Sequence, residues 1–265
     1  MISKVKNDLF DYQNRYIMQI KDGFKFSLDS LLLAEFVNIR KSDKIILDMC
    51  TGNAPVPLIL SLKTDALIVG FEIQKDISDL AQESVILNGL KDNIRIINDD
   101  IKNINKYYKT GTFDIITCNP PYFKTSEDGY KNKNDYLTLA RHEITIDLES
   151  LFSIAKSYLK DNGVFYLVHR AERLDDIMYL GRINNLNVKD LQFIATKNGS
   201  VPNTILVKCV KNSKPGVKLR KEICVDNLST YQHIFESRWN KWNLLWDWVI
   251  LTKNTIRLDI MLALW

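Results

Sequence analysis

No two cysteines of this 265-residue chain stand at a zinc-binding spacing: Cys50, Cys118, Cys209 and Cys224 are scattered and form no CxxC pair. That argues against structural zinc and against a disulfide framework, and it suits a reducing cytoplasm. His142 has no His or Cys partner at ligand spacing either, so no metal is expected. No uninterrupted apolar run reaches 18 residues, and the opening MISKVKNDLF lacks an apolar core of signal-peptide length. Neither a membrane span nor a secretory leader is therefore expected. Internal repeats are absent. Tryptophan is missing from the first 238 residues, and all five fall in the last 27, at Trp239, Trp242, Trp246, Trp248 and Trp265. Glycine is missing where a diphosphate loop would need it. In CTGNAPV, Ala54 and Val56 occupy positions where glycines would be expected, so the stretch is not a GxGxxG.

What is present reads as an ordinary globular chain, 46% hydrophobic and 26% charged, long enough for one sizeable domain. Short apolar, β-branched runs predict strands at Ile45–Met49, Leu67–Glu72, Ile94–Asn98, Phe113–Cys118, Val164–His169, Leu191–Thr196 and Ile205–Val210. Between them, Lys75–Asn88 and Leu148–Leu159 have helical spacing, the first closed by Asn88-Gly89. This alternation predicts an α/β fold, a Rossmann-like doubly wound sheet of seven strands. The last two strands are joined by the turn-rich KNGSVPNT, which predicts an antiparallel hairpin at the sheet edge.

Three acidic residues stand at three successive strand ends: Asp48, Glu72 and Asp100. Open α/β sheets bind ligands outside the carboxyl ends of their strands. Gly52, in the first strand-to-helix turn, is the residue without a side chain that a close ligand needs. Glu72 follows it by 20 residues, where a carboxylate can accept both ribose hydroxyls. Asp100 stands where a carboxylate could meet an adenine amino group. A purely structural turn would explain Gly52 alone, and each acid alone could be a solvated charge. Together they suit S-adenosylmethionine, which has no phosphates and carries an amine and a sulfonium.

The fourth strand ends in the abrupt Asn119-Pro120-Pro121-Tyr122. The prolines fix φ and donate no N–H, so neighbouring carbonyls can be held rigidly toward a ligand. The Asn119 amide oxygen and the Pro120 carbonyl offer two acceptors, which suits a planar NH2 with two hydrogens. Their contribution is positioning and electrostatics, not proton abstraction by a charged base. Tyr122 offers a flat face on which a planar group can stack.

Other residues read less sharply. Arg141 in ARHE can contact RNA phosphate or brace the Asn-Pro-Pro-Tyr loop through Glu143. Arg170 in VHRAERL can reach a substrate phosphate or pair with Glu172 or Asp175. Cys50 and Cys118 read as small buried residues near the crevice. Between Val188 and Glu222, seven lysines and one arginine face two acids, a net of +6. Lys211, Lys214, Lys218 and Arg220 in this run could track a phosphate backbone, or form a solvated face.

DMCTGN, FEIQ and NPPY, in this order, resemble class I S-adenosylmethionine-dependent methyltransferases that act on exocyclic or amide nitrogens. GFKFSLDSLLLAEF, ARHE, VHRAERL and KPGVKL bring the chain closer to the bacterial tRNA1(Val) adenine-37 N6-methyltransferases. The similarity covers about residues 12 to 225. It implies that Asp48, Gly52, Glu72 and Asp100 bind S-adenosylmethionine, and that Asn119 to Tyr122 hold the target adenine. It also implies that Phe26, Ser27 and Asp29 close over the methionine end, with Asn119 touching the cofactor as well. Ala54 departs from the glycine usual in that family.

The expected organisation is a segment 1–44 closing over the cofactor, a methyltransferase domain 45–225, and a tryptophan-rich tail 226–265 without an assigned role. The expected activity is methylation of an adenine N6 in a tRNA anticodon loop, in the cytoplasm, with tRNA as partner and no obligate protein partner. Protein-glutamine N5-methylation and other rRNA or DNA amino-methylation remain as alternatives, since the glutamine amide is also a planar NH2. Only about 44 residues precede the first strand, too few for the helical domain of the glutamine enzymes.

Overall fold

The computed structural model describes residues 3–9, 15–21, 27–121 and 146–225. An antiparallel hairpin, β1 (Lys4–Asp8) and β2 (Tyr16–Ile20), precedes helix α1 (Leu28–Phe36). Then follow β3 (Ile45–Met49), α2 (Pro55–Leu60), β4 (Leu67–Phe71), α3 (Lys75–Leu87), β5 (Ile94–Ile97) and β6 (Phe113–Cys118). The second half holds α4 (Leu148–Tyr158), β7 (Leu159–Arg170), α5 (Leu174–Ile183), β8 (Leu186–Ala195), β9 (Thr204–Lys211), β10 (Lys218–Leu219) and β11 (Ile223–Cys224).

The main sheet has nine strands in the order β10-β8-β9-β7-β6-β3-β4-β5, with β11 also paired to β8. Strands β5, β4, β3, β6 and β7 are parallel, and β9 runs against both β7 and β8. The sheet order turns back between β3 and β6, so a crevice opens beyond their carboxyl ends. All seven expected strands are there, with β7 starting earlier, at Leu159, and β8 also starting earlier, at Leu186. The expected antiparallel hairpin at the sheet edge is there as β8–β9. Two-residue strands β10 and β11, which were not expected, pair in parallel along β8 beyond it. Segments that short carry no hydrophobic period from which to read them.

Alternation along each strand feeds two cores. Ile46, Ile68, Ile115 and Tyr166 point to α1, α2 and α3, meeting Leu31, Leu58 and Val85. Leu47, Val69, Ile116 and Phe165 point the other way, to Leu151 and Phe152 of α4 and Ile177 of α5. Each such fully buried side chain contributes about 1.5–3 kcal/mol. The hairpin adds to the first core through Leu9 and Ile17. It also bonds to α3: the Tyr16 N–H donates to Asn88 Oδ1 at 2.9 Å and the Met18 N–H to Ser84 Oγ at 2.9 Å. Asn53, in the turn after β3, donates its Nδ2 to the Met18 carbonyl at 2.9 Å. The N-terminal hairpin is thereby tied to the loop that borders the crevice. Among the described residues no helix is long and apolar enough to cross a membrane.

Candidate active site

The turn after β3 is built from alternating left-handed residues, Cys50 (φ 58°), Gly52 (φ 58°) and Ala54 (φ 71°). Such a conformation costs a non-glycine residue about 1–2 kcal/mol, so Cys50 and Ala54 hold it under constraint. Ala54, noted in the sequence as a lost glycine, keeps the backbone shape and buries its methyl completely. A Cβ on Gly52 would meet nothing within 4 Å. The backbone there borders open space, as a close-lying ligand requires.

Three acidic residues stand at or beyond the carboxyl ends of β3, β4 and β5. Asp48 is 1% exposed, and its two oxygens accept from Thr51 Oγ1 and Thr117 Oγ1, each at 2.6 Å. Burial pushes its pKa up to about 7, against the pull of these hydroxyls and with a further push from Glu72. Glu72, at the end of β4, accepts the Gly52 N–H at 3.0 Å and the Gln74 N–H at 2.9 Å. It latches the turns after β3 and β4 together. Its pKa is also raised by burial, in spite of those N–H donors. Asp100 is half-buried and accepts the Lys102 N–H at 2.9 Å, capping the 3-10 helix Ile101–Lys106. Its neighbour Asp99 is committed elsewhere: Asn103 Nδ2, Tyr107 Oη and Lys106 Nζ all converge on it. The first two of these donors hold its pKa down to about 2.

Asn119 leaves the end of β6, one position beyond Cys118 and two beyond Thr117. Its Nδ2 donates to Ser30 Oγ on α1 at 2.9 Å, and Ser27 Oγ lies 3.5 Å away. Ser27 is the N-cap of α1, yet its side chain caps no helix N–H. Asp29 is buried beside it, 6% exposed. The start of α1, from Ser27 to Ser30, thus meets the Asn-Pro-Pro elbow directly. Sequence reading missed Ser30, Thr51 and Thr117. The only available signal was spacing: Ser30 lies one helical turn from Ser27, and Thr117 shares a strand face with Asn119.

A domain-family model described as a methyltransferase domain matches residues 40–192. The chain belongs to that family. Relatives named tRNA1(Val) (adenine(37)-N6)-methyltransferase include one from Bacteroides thetaiotaomicron, 27% identical over 214 residues, covering 80% of this chain and 87% of the relative. Another, from Tolumonas auensis, is 27% identical over 221 residues, covering 82% and 88%. Among solved structures, Pyrococcus horikoshii TYW2 in complex with MeSAdo aligns with a TM-score of 0.56 at 14% identity, covering 80% of this chain and 73% of that one. M. jannaschii TYW2 in complex with AdoMet gives 0.51 at 14%, covering 79% and 86%. These likenesses are of fold.

The crevice of this methyltransferase fits S-adenosylmethionine. The donor set is acidic and the turn carries no phosphate-binding glycine repeat. Open space lies over Gly52, whose N–H donates to the Glu72 carboxylate. Among the described residues no group of three or more His, Cys, Asp or Glu could hold a metal.

The remaining candidate residues fall in different places. Phe26, Tyr122 and Arg141 lie outside the described residues. Arg170 ends β7, the strand next to β6, at the same end of the sheet as Asn119. The adjacent His169 is buried, and burial, then Arg173, drives its pKa down to about 4, so it is neutral at pH 7. The basic run divides. Lys211 ends β9 opposite Leu186, at the far end of the sheet, and its Nζ donates to the Leu159 carbonyl at 2.7 Å. Arg220 bonds Asp190 at 3.3 Å and lies 4.4 Å over the Phe36 ring. Lys214 and Lys218 are exposed.

Proposed function

We propose that this methyltransferase modifies the exocyclic N6 of an adenine in a tRNA anticodon loop, position 37 of a valine tRNA. The observation that carries the reading is Asn119: an amide held by α1 at the carboxyl end of β6, across the crevice from Gly52. The names of the relatives over four-fifths of the chain supply the nucleic acid and the position.

When bound, S-adenosylmethionine supplies an electrophilic methyl group on a sulfonium. Asn119 Oδ1 and the Pro120 carbonyl accept the two amine hydrogens, which orients the nitrogen lone pair and offsets the positive charge building on it. Neither group is a base. Their contribution is placement and electrostatics. Glu72 holds the ribose hydroxyls, Asp100 the adenine amino group of the cofactor, and Asp48 with Ser27 and Asp29 the methionine end, joined there by Phe26. Tyr122 stacks on the target base, while Arg141, Arg170, Lys214 and Lys218 serve the RNA backbone; Lys211 and Arg220, bonded to the Leu159 carbonyl and to Asp190, brace the fold instead. In this reading residues 1–44 close the cofactor side of domain 45–225, and an adenine already splayed in a loop needs little further machinery to enter the site.

The test is incubation with labelled S-adenosylmethionine and separate tRNA, rRNA, DNA and protein pools, followed by nucleoside analysis. Label is expected in tRNA as N6-methyladenosine. Label in protein alone would replace this reading with glutamine N5-methylation.

A further inference from the structure

We infer that Ser30 is a positioning residue for the transfer step: it fixes which way the Asn119 amide faces. The inference deepens the proposed reaction and rests on it.

An asparagine side chain has one acceptor and one donor end, nearly equal in size, and only the acceptor end can receive the hydrogens of a target amine. Something must therefore choose between two orientations of Asn119. Its backbone is set by the strand before it and the proline after it, which leaves the facing of the amide to its side-chain partners. The structure shows what does. Asn119 Nδ2 donates to Ser30 Oγ at 2.9 Å, with Ser27 Oγ at 3.5 Å on the same side. The planarity of the amide then turns Oδ1 away from these two hydroxyls.

Ser30 is well placed for this task. It is 5% exposed and lies in the first turn of α1, a helix whose Leu31, Leu32 and Leu33 are locked in the core. Ser27 adds a second hydroxyl without serving its own helix as a cap. A half-buried amide facing the wrong way would turn its N–H groups toward those of the target amine, a repulsive contact that leaves both without acceptors. Serine can also donate, so the reversed amide is the arrangement that an experiment must exclude.

An aspartate at 119 offers an acceptor whichever way it faces, and so removes the need for a chooser. Ser30→Ala is expected to lower the single-turnover rate on tRNA by about 10-fold, with S-adenosylmethionine affinity within two-fold by calorimetry. Ser30→Thr, which keeps the hydroxyl, is expected to restore most of the rate. In an Asn119→Asp background the added Ser30→Ala should change the rate less than two-fold. Equal losses in both backgrounds, or a loss of cofactor affinity without a loss of rate, would overturn the inference.

A second readout does not use activity. In 15N-labelled protein the Asn119 side-chain amide protons should exchange slowly, and Ser30→Ala should shift them and speed their exchange. Unchanged signals would overturn the inference, and this arm decides alone if the aspartate variant turns over too slowly. A wild-type protein that methylates no tRNA would refute the proposed reaction, while the amide signals would still report on the pairing.

Discussion

Asp48 on β3 and Thr117 on β6 stand opposite each other in register, and Thr117 Oγ1 donates to Asp48 Oδ1 at 2.6 Å. The bond joins the two strands at the reversal in sheet order where the crevice opens. A carboxylate so buried keeps only partial compensation for lost water: two hydroxyls oppose the burial, yet its pKa still rises to about 7.

The first prediction concerns pH. An Asp48 pKa raised from 3.8 to about 7 means that the folded state holds a proton the unfolded state has released. Stability from this group is complete below the unfolded pKa and is lost as pH rises through the folded one, at most about 1.4 kcal/mol per pH unit. Urea midpoints of the cofactor-free protein at pH 5 and 8 should therefore differ more in the wild type than in Asp48→Asn. Identical differences would show that Asp48 titrates normally. Asp114, at the other end of the same strand pair, has the opposite sign. Burial raises its pKa, but Lys160 and the Lys44 and Ile45 N–H groups outweigh that and hold it low. Its support is present above the unfolded pKa and disappears on acidification.

The second prediction separates two glycines. A Cβ on Gly70 would lie 2.8 Å from Thr51 Oγ1, the hydroxyl that bonds Asp48. Gly70→Ala should destabilise the protein by about 1–3 kcal/mol through this overlap. Gly52→Ala meets no neighbour and carries only left-handed strain, about 1–2 kcal/mol. Its larger effect should be on S-adenosylmethionine affinity. Melting curves and calorimetric titration of both variants test the contrast, and equal loss of affinity in the two would remove it.

Asn119→Ala should reduce methyl transfer by about 10²–10³-fold and leave cofactor affinity nearly unchanged. Single-turnover rates and equilibrium binding decide this. Full activity in the variant would end the role assigned to the elbow.

The fourth prediction divides the basic run. Exposed Lys214 and Lys218 should each contribute to the salt dependence of tRNA binding, lowering its slope by about one when replaced by alanine. Lys211, at the far end of the sheet and bonded to the Leu159 carbonyl, should instead cost about 1 kcal/mol of stability. An unchanged slope in Lys214→Ala and Lys218→Ala would make that run a solvated face.

Seven strands were legible because each carries a short, largely apolar run rich in β-branched or aromatic residues. The order Asp48, Gly52, Glu72, Asp100, Asn119 was legible for the same reason: each lies at or just beyond a strand's carboxyl end. The edge strands β10 and β11 were not, since Lys218–Leu219 and Ile223–Cys224 are too short to show a period. The start of α1 was visible only as a string, without its contact.

The sequence by itself determined the alternating α/β order and which end of the sheet would collect the acids. Strand patterning is local, and parallel topology brings successive carboxyl ends together. Only the tertiary structure decided which neighbours set those groups. Thr117 reaches Asp48 across 69 residues, and Ser30 reaches Asn119 across 89. Such pairings depend on strand register and on how a helix docks, and no local pattern encodes either.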